Sequence, residues 1–253
     1  MNTVPVVLLH AFPLNREMFT AQHQALADAG YQVLTPDLPG YGSNQGQHLP
    51  SDESLDVFAD AVAALLDSHG IDRAVIGGLT LGGYVTLAFL RRYPDRVAGL
   101  VLMDTRASAD DDAGRAGRLA FANQVDKQGV EWIPGAMMAG LLSDPTPQQQ
   151  QTVRSWILAA DPAVVAWTQR AMAMRPDSID LLRGFEGPAL VLVGEQDTLT
   201  PPAMSVAMAD ACAEAQLVRI PECGHLSTTQ KPDEVSHSIL QWLGQHATTL
   251  AMR

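Results

Sequence analysis

Two kinds of apolar pattern alternate along this chain. Short runs in which nearly every position is apolar are followed by longer stretches whose apolar residues recur every three or four positions. The runs VPVVLLH (Val4 to His10), YQVLTPD (Tyr31 to Asp37), RAVIGG (Arg73 to Gly78), VAGLVLMD (Val97 to Asp104), PALVLVGEQD (Pro188 to Asp197) and AQLVRIPE (Ala215 to Glu222) are of the first kind. Each reads as a strand, and because the runs do not alternate apolar with polar, they suit a parallel sheet buried on both faces. The longer stretches have helical periodicity. Phe19, His23, Leu26 and Ala27 share a face before Gly30 ends the first. Leu55, Phe58, Ala59, Val62, Leu65 and Leu66 do so before Gly70. Val235, Ile239, Leu240 and Leu243 mark a last helix from about Pro232 to Gln245.

Strand, helix and crossover in repetition predict an α/β protein with a doubly wound, mostly parallel sheet. One stretch breaks the rhythm. Residues 107–183 hold no convincing strand, only helix-like segments carrying Trp132, Met137, Met138, Trp156, Trp167, Met172 and Met174. A structureless loop of that length is implausible in a compact domain. The expectation is an inserted helical cap, or lid, over the carboxyl edge of the sheet, with residues 1–106 and 184–253 forming the core. The Met and Trp residues are assigned mainly to the interior of that cap, with some on an apolar underside.

Charge removes several functional classes. With 28 acidic against 16 basic residues the net charge is −12, the opposite of a nucleic-acid footprint. No apolar run reaches the ~18 residues of a membrane span. The first residues lack the basic start of a signal peptide, since the first basic residue is Arg16. The expectation is a cytoplasmic protein that binds neither nucleic acid nor membrane. Cys212 and Cys223, the two cysteines, have neither disulfide-scaffold nor metal-site spacing and read as small semi-buried thiols.

Candidate chemistry follows from topology. Open α/β sheets place ligands at the carboxyl ends of their strands, and there the chain puts His10, Thr80, Asp104, Asp197 and His225. Thr80, Asp197 and His225 follow the order of nucleophile, acid and histidine given for α/β-hydrolases. GGLTLGG, with Gly78 and Gly82 flanking Thr80, resembles the nucleophile elbow of the α/β-hydrolase family. LLHAFPLN resembles its oxyanion segment and DLPGYGSN its structural loop, while LVGEQDTLTP and PECGHLSTTQKPDEV resemble the acid and histidine loops.

The resemblance covers the chain apart from the cap and implies a cofactor-free carboxylic ester or lactone hydrolase acting on small, mostly apolar substrates. It implies a triad of Thr80, Asp197 and His225, with backbone N–H groups of Phe12 and Leu81 as oxyanion hole. His10 is expected to brace the oxyanion loop, Asp37 to close a turn, Glu195 to be solvated, and the run ADDDAGR to be a solvated face. Asp104 is the rival for Asp197, because some family members carry the acid after the earlier strand.

Three departures stand out. The chain starts at the strand carrying the oxyanion segment, Ala11 stands where glycine is usual, and Thr80 stands where serine is usual. The added methyl narrows χ1 and crowds the approach to a carbonyl, so a slowed nucleophile is expected. A binding protein without turnover, or a C–C hydrolase or perhydrolase on the same triad, are the alternatives. Dehalogenase and epoxide hydrolase chemistry is disfavoured, because it needs a carboxylate at position 80.

Overall fold

In the computed structural model, which describes residues 3–252, six strands form one sheet in the order β2-β1-β3-β4-β5-β6, every neighbouring pair parallel. The strands are β1 (Val6–Leu9), β2 (Val33–Leu34), β3 (Ala74–Leu79), β4 (Val97–Met103), β5 (Pro188–Gly194) and β6 (Glu214–Ile220). Successive side chains of a strand point to opposite faces. Every residue of β1, β3, β4 and β5 is buried, so both faces of the central sheet are covered, as the continuous apolar runs require. At the edges the pattern relaxes. β2 is only two half-buried residues, shorter than YQVLTPD suggested, and β6 is largely exposed over its first half.

The helices between the early strands are α1 (Thr20–Asp28), α2 (Asp56–Ser68) and α3 (Leu81–Arg92). After β5 come α9 (Pro202–Ala211), α10 (Ser227–Gln230), α11 (Pro232–Gln245) and α12 (Ala247–Met252). Helix α3 packs on β1, β3 and β4 with α2 against it, α9 packs on β5 and β6, and α1 pairs with α11. The sequence stripes are the buried ones: Phe58, Ala59, Val62 and Leu66 on α2, and Val235, Ile239 and Leu243 on α11. Trp242 extends the second stripe and is completely buried.

Residues between β4 and β5 form α4 (Asp112–Gln128), α5 (Ile133–Leu141), α6 (Pro147–Leu158), α7 (Pro162–Ala173) and α8 (Ile179–Arg183), and no strand among the described residues. Their starts are well marked. Asp111, Thr146 and Asp161 cap α4, α6 and α7 through their side chains, and Thr146 with Gln149 forms a capping box. Helices α4 and α7 pack together, and Trp167 of α7 is anchored to the core, its indole N–H donating to the Pro50 carbonyl and its ring 5.3 Å from that of Phe58. Asp110 corrects the reading of ADDDAGR as a solvated face. Its carboxylate is buried and paired with Arg106, Arg118 and Arg175, because those three guanidiniums bring an acidic side chain inward that would otherwise stay in water.

Candidate functional site

Thr80 occupies the sharp corner between β3 and α3, with φ 48° and ψ −105°. Positive φ is rare for a β-branched residue and costs on the order of 1–3 kcal/mol. The neighbourhood enforces it. The Thr80 N–H donates to the Met103 carbonyl at 3.1 Å, while its own carbonyl accepts from the Tyr84 N–H at 3.1 Å and the Thr105 hydroxyl at 2.9 Å. The flanking glycines are a packing requirement: a Cβ on Gly78 would run into the Gly82 backbone, and one on Gly82 into the Leu9 carbonyl. The elbow is therefore wedged between β1 and the first turn of α3.

Beyond the ends of β5 and β6, His225 and Asp197 meet. The His225 Nδ1 lies 2.8 Å from Asp197 Oδ2, both side chains buried. Asp197 also accepts from the Leu199 N–H at 2.8 Å, the Thr200 N–H at 3.0 Å and the Thr200 hydroxyl at 2.6 Å. Burial alone would raise this carboxyl, but the hydrogen bonds and charge of His225, with the Thr200 bonds, outweigh it and hold Asp197 below its ordinary value. An ionised Asp197 accepts a hydrogen bond from Nδ1–H and leaves Nε2 as the acceptor. His225 and Thr80 line one cavity of about 190 Å³. Thr200 was not singled out in the sequence, although it sits three residues after the acid, where a hydroxyl can close back on the carboxylate.

Phe12 lines the same cavity, just past the end of β1, and Leu81 is the first residue of α3. An N–H in the first turn of a helix has no partner within the helix, and the helix dipole favours negative charge there. Ala11 causes no backbone conflict, since it is not among the described non-glycine residues with positive φ. His10 sits behind this loop, fully buried, with Nδ1 3.0 Å from the Ala11 carbonyl and Nε2 accepting from the Leu38 N–H at 3.0 Å. Both bonds are satisfied by one neutral tautomer, and burial lowers its pKa to about 4. Asp37 closes its loop as expected, accepting from the Arg16 and Ser43 N–H groups and the Ser43 hydroxyl. Glu195 is exposed, and burial pushes the thiols of Cys212 and Cys223 up to about 11 and 12.

Asp104 is also present at this edge, at φ 41°. It accepts from the Gly194 N–H at 2.8 Å and from the Ser227 hydroxyl. No bond joins it to His225 among the described residues, so the imidazole is engaged by Asp197. Complete burial raises Asp104 to about 7, against the lowering influence of the His225 charge and the Ser227 bond.

The cavity lining is more mixed than a purely apolar expectation. Phe12, Met137, Leu141, Met172 and Leu199 supply an apolar surface, with Met137, Leu141 and Met172 coming from the helices between β4 and β5. Arg106, Arg118, Gln169 and Tyr84 line it as well. The other Trp and Met residues of those helices pack elsewhere: the Trp156 indole donates to Glu17, and Met174 is exposed.

An α/β-hydrolase-fold family model matches residues 4–232, and with the elbow and sheet order above, the chain belongs to that family. A solved structure of a thermophilic esterase from Thermogutta terrifontis, with malate bound, shares 39% sequence identity at a TM-score of 0.92, covering 96% of this chain and 90% of that one. A 2-hydroxy-6-oxononadienedioate/2-hydroxy-6-oxononatrienedioate hydrolase of Paraburkholderia phymatum is 26% identical over 87% of this chain and 79% of its own length. A pimeloyl-[acyl-carrier protein] methyl ester esterase of Aromatoleum aromaticum is 25% identical over 92% of this chain and 96% of its own. These relatives are hydrolases. No helix among the described residues is long and apolar enough to cross a membrane.

Proposed function

We propose that this protein is a cofactor-free hydrolase of small carboxylic esters or lactones, working through an acyl-enzyme on Thr80. The observation that carries the reading is the buried His225–Asp197 pair, at 2.8 Å, in one cavity with a hydroxyl on a strained elbow. The Thr80 Oγ1 attacks the carbonyl carbon as its proton passes to His225 Nε2. Asp197 holds the ring in the tautomer that can accept it. The oxyanion is received by the N–H groups of Phe12 and Leu81, each donor of this kind being worth about 3 kcal/mol in the barrier. Collapse of the intermediate expels the alcohol, which takes the proton from His225. Water, deprotonated by the same nitrogen, then attacks the acyl-threonine and releases the acid. Residues 107–183 act as the cap, covering the acyl-binding surface with Met137, Leu141 and Met172. Ester hydrolysis is also what the Thermogutta and Aromatoleum relatives are named for.

Threonine slows this cycle. If its methyl costs about 3 kcal/mol in the transition state, the rate falls about 100-fold relative to serine. The test is burst-phase hydrolysis of p-nitrophenyl butyrate by the protein, by Thr80→Ser and by Thr80→Ala. Serine is expected to be fast, the unaltered protein slow and alanine silent. Three identical background traces would remove the hydrolase reading and leave a scaffold that binds without turnover.

A further inference from the structure

The basic residues on the wall of the catalytic cavity are short of negative partners. Arg106 and Arg118, which line the cavity with Thr80 and His225, converge with Arg175 on the single carboxylate of Asp110. Arg118 Nε and Arg175 Nη1 each donate to Asp110 Oδ2 at 2.5 Å, and Arg106 pairs with Oδ1. Asp177, the next acidic group near Arg175, already accepts from the N–H groups of Ala109 and Ile179. Arg115 lies on the same side, 3.9 Å from Asp112, and adds no net charge. Three guanidiniums thus share one buried carboxylate in direct contact, with Asp177 near Arg175 and with Asp52, Glu53 and Asp56 lining a second cavity alongside Arg106, Arg175 and Arg91.

Hydrogen bonding is equally unbalanced. The Nε atoms of Arg106 and Arg175 are buried without an acceptor. Arg118 spends Nη1 on the neutral Gln169 Oε1 at 3.2 Å and Met172 Sδ at 3.4 Å, and no residue among those described accepts from its Nη2. The ring of Tyr84, also in the cavity wall, lies 4.1 Å from the Arg175 guanidinium carbon and 5.9 Å from that of Arg118, which holds the group in place. Burial of guanidiniums that share one carboxylate is costly, and the burden shows in the values of Arg106 and Arg175, lowered by burial, the second to about 10. In a chain of net charge −12, these cationic groups are concentrated at the cavity that holds Thr80 and His225.

We propose that Arg118 and Arg106 bind a carboxylate of the substrate, distinct from the ester under attack, so that the preferred substrates are anionic half-esters or lactone acids. The proposal rests on the hydrolase reading and names the substrate class of that same site. Arginine suits the task because its planar fork bonds a carboxylate through two N–H groups and stays charged. Charge-assisted bonds of this kind translate into a preference of about 10- to 100-fold in kcat/KM over a neutral ester of the same shape.

The experiment compares matched pairs on the Thr80→Ser background. Mono-p-nitrophenyl glutarate against p-nitrophenyl butyrate places the carboxylate on the acyl side, and 4-acetoxybenzoate against phenyl acetate places it on the alcohol side. In at least one pair the anionic ester is expected to be preferred about tenfold or more. Arg118→Gln collapses that ratio, Arg118→Lys retains much of it, and Arg154→Gln, an exposed control, leaves it alone. Ratios near one in both pairs, or a preference unmoved by Arg118→Gln in a folded protein, overturn the proposal while leaving the hydrolase reading intact. Should no ester be turned over, calorimetric binding of glutarate to Thr80→Ala decides. Binding lost in Thr80→Ala/Arg118→Gln upholds the carboxylate site without the hydrolase, and no binding ends both.

Discussion

Asp104 and Asp197 stand at the ends of neighbouring strands, both buried, within reach of the same imidazole's field, yet they are held in opposite states. Asp197 receives two backbone N–H groups, a hydroxyl and the His225 ring, and sits below its ordinary pKa. Asp104 receives one N–H and one hydroxyl and is raised to about 7. The backbone differs as well: Asp104 is strained at φ 41°, whereas Asp197 is not among the positive-φ residues. Burial is thus common to both, and the number of donors decides which carboxylate can carry charge. One is suited to support an imidazolium; the other is suited to clasp β5 and α10 to the end of β4.

The sharpest way to break this contrast is Asp197→Asn. An amide there favours the wrong imidazole tautomer, a change that costs about 10⁴-fold in kcat in the serine protease example of the same arrangement. A comparable fall is expected here, measured with p-nitrophenyl butyrate on the Thr80→Ser background. If Asp104→Asn produced that loss instead, the roles would be exchanged.

Thr200→Val probes the donor count directly. It removes one bond to a charged oxygen, so kcat/KM should drop about tenfold. An unchanged kcat/KM would mean the Thr200 hydroxyl contributes packing only.

Asp104→Asn should change the rate least and reveal itself in stability. A carboxyl whose folded pKa is raised stabilises the protein fully below its unfolded value near 4 and loses that contribution as pH rises toward 7. The variant should therefore gain stability relative to the unaltered protein over that window, by an amount on the order of 4 kcal/mol. Chemical denaturation at both ends reads it, and an equal difference at the two pH values contradicts the shift.

A smaller effect of opposite sign belongs to His10, whose folded pKa is lowered to about 4. Its contribution is present above the unfolded value near 6.5 and fades as pH falls toward 4. His10→Gln, which can still accept from Leu38, should flatten that part of the stability profile. Hydrogen exchange at the Leu38 amide reports whether the bond to Leu38 survives.

Much of this was legible along the chain. Continuous apolar runs gave the parallel sheet because burial on both faces leaves no reason to alternate, and the glycines around Thr80 are demanded by contacts too close for a Cβ. What periodicity could not reveal is pairing across distance. The run at Asp110 looks like a solvated face until Arg118 and Arg175, 8 and 65 residues away, are seen to close on it. Thr200 and Ser227 are ordinary hydroxyls along the chain until the fold sets each against a carboxylate. YQVLTPD overstated β2, because an edge strand with one neighbour pairs for only two residues.

The strand order also has a temporal meaning. During synthesis β1 to β4 emerge before β5, and β1, β3 and β4 can form the centre of the sheet with the Thr80 elbow already wedged in place. β5 and β6 then add outward, each to an edge already present, bringing Asp197 and His225 last. On the proposed triad, a ribosome-bound chain that ends before residue 225 carries the Thr80 hydroxyl without the imidazole that would deprotonate it, so reactivity waits for the sixth strand.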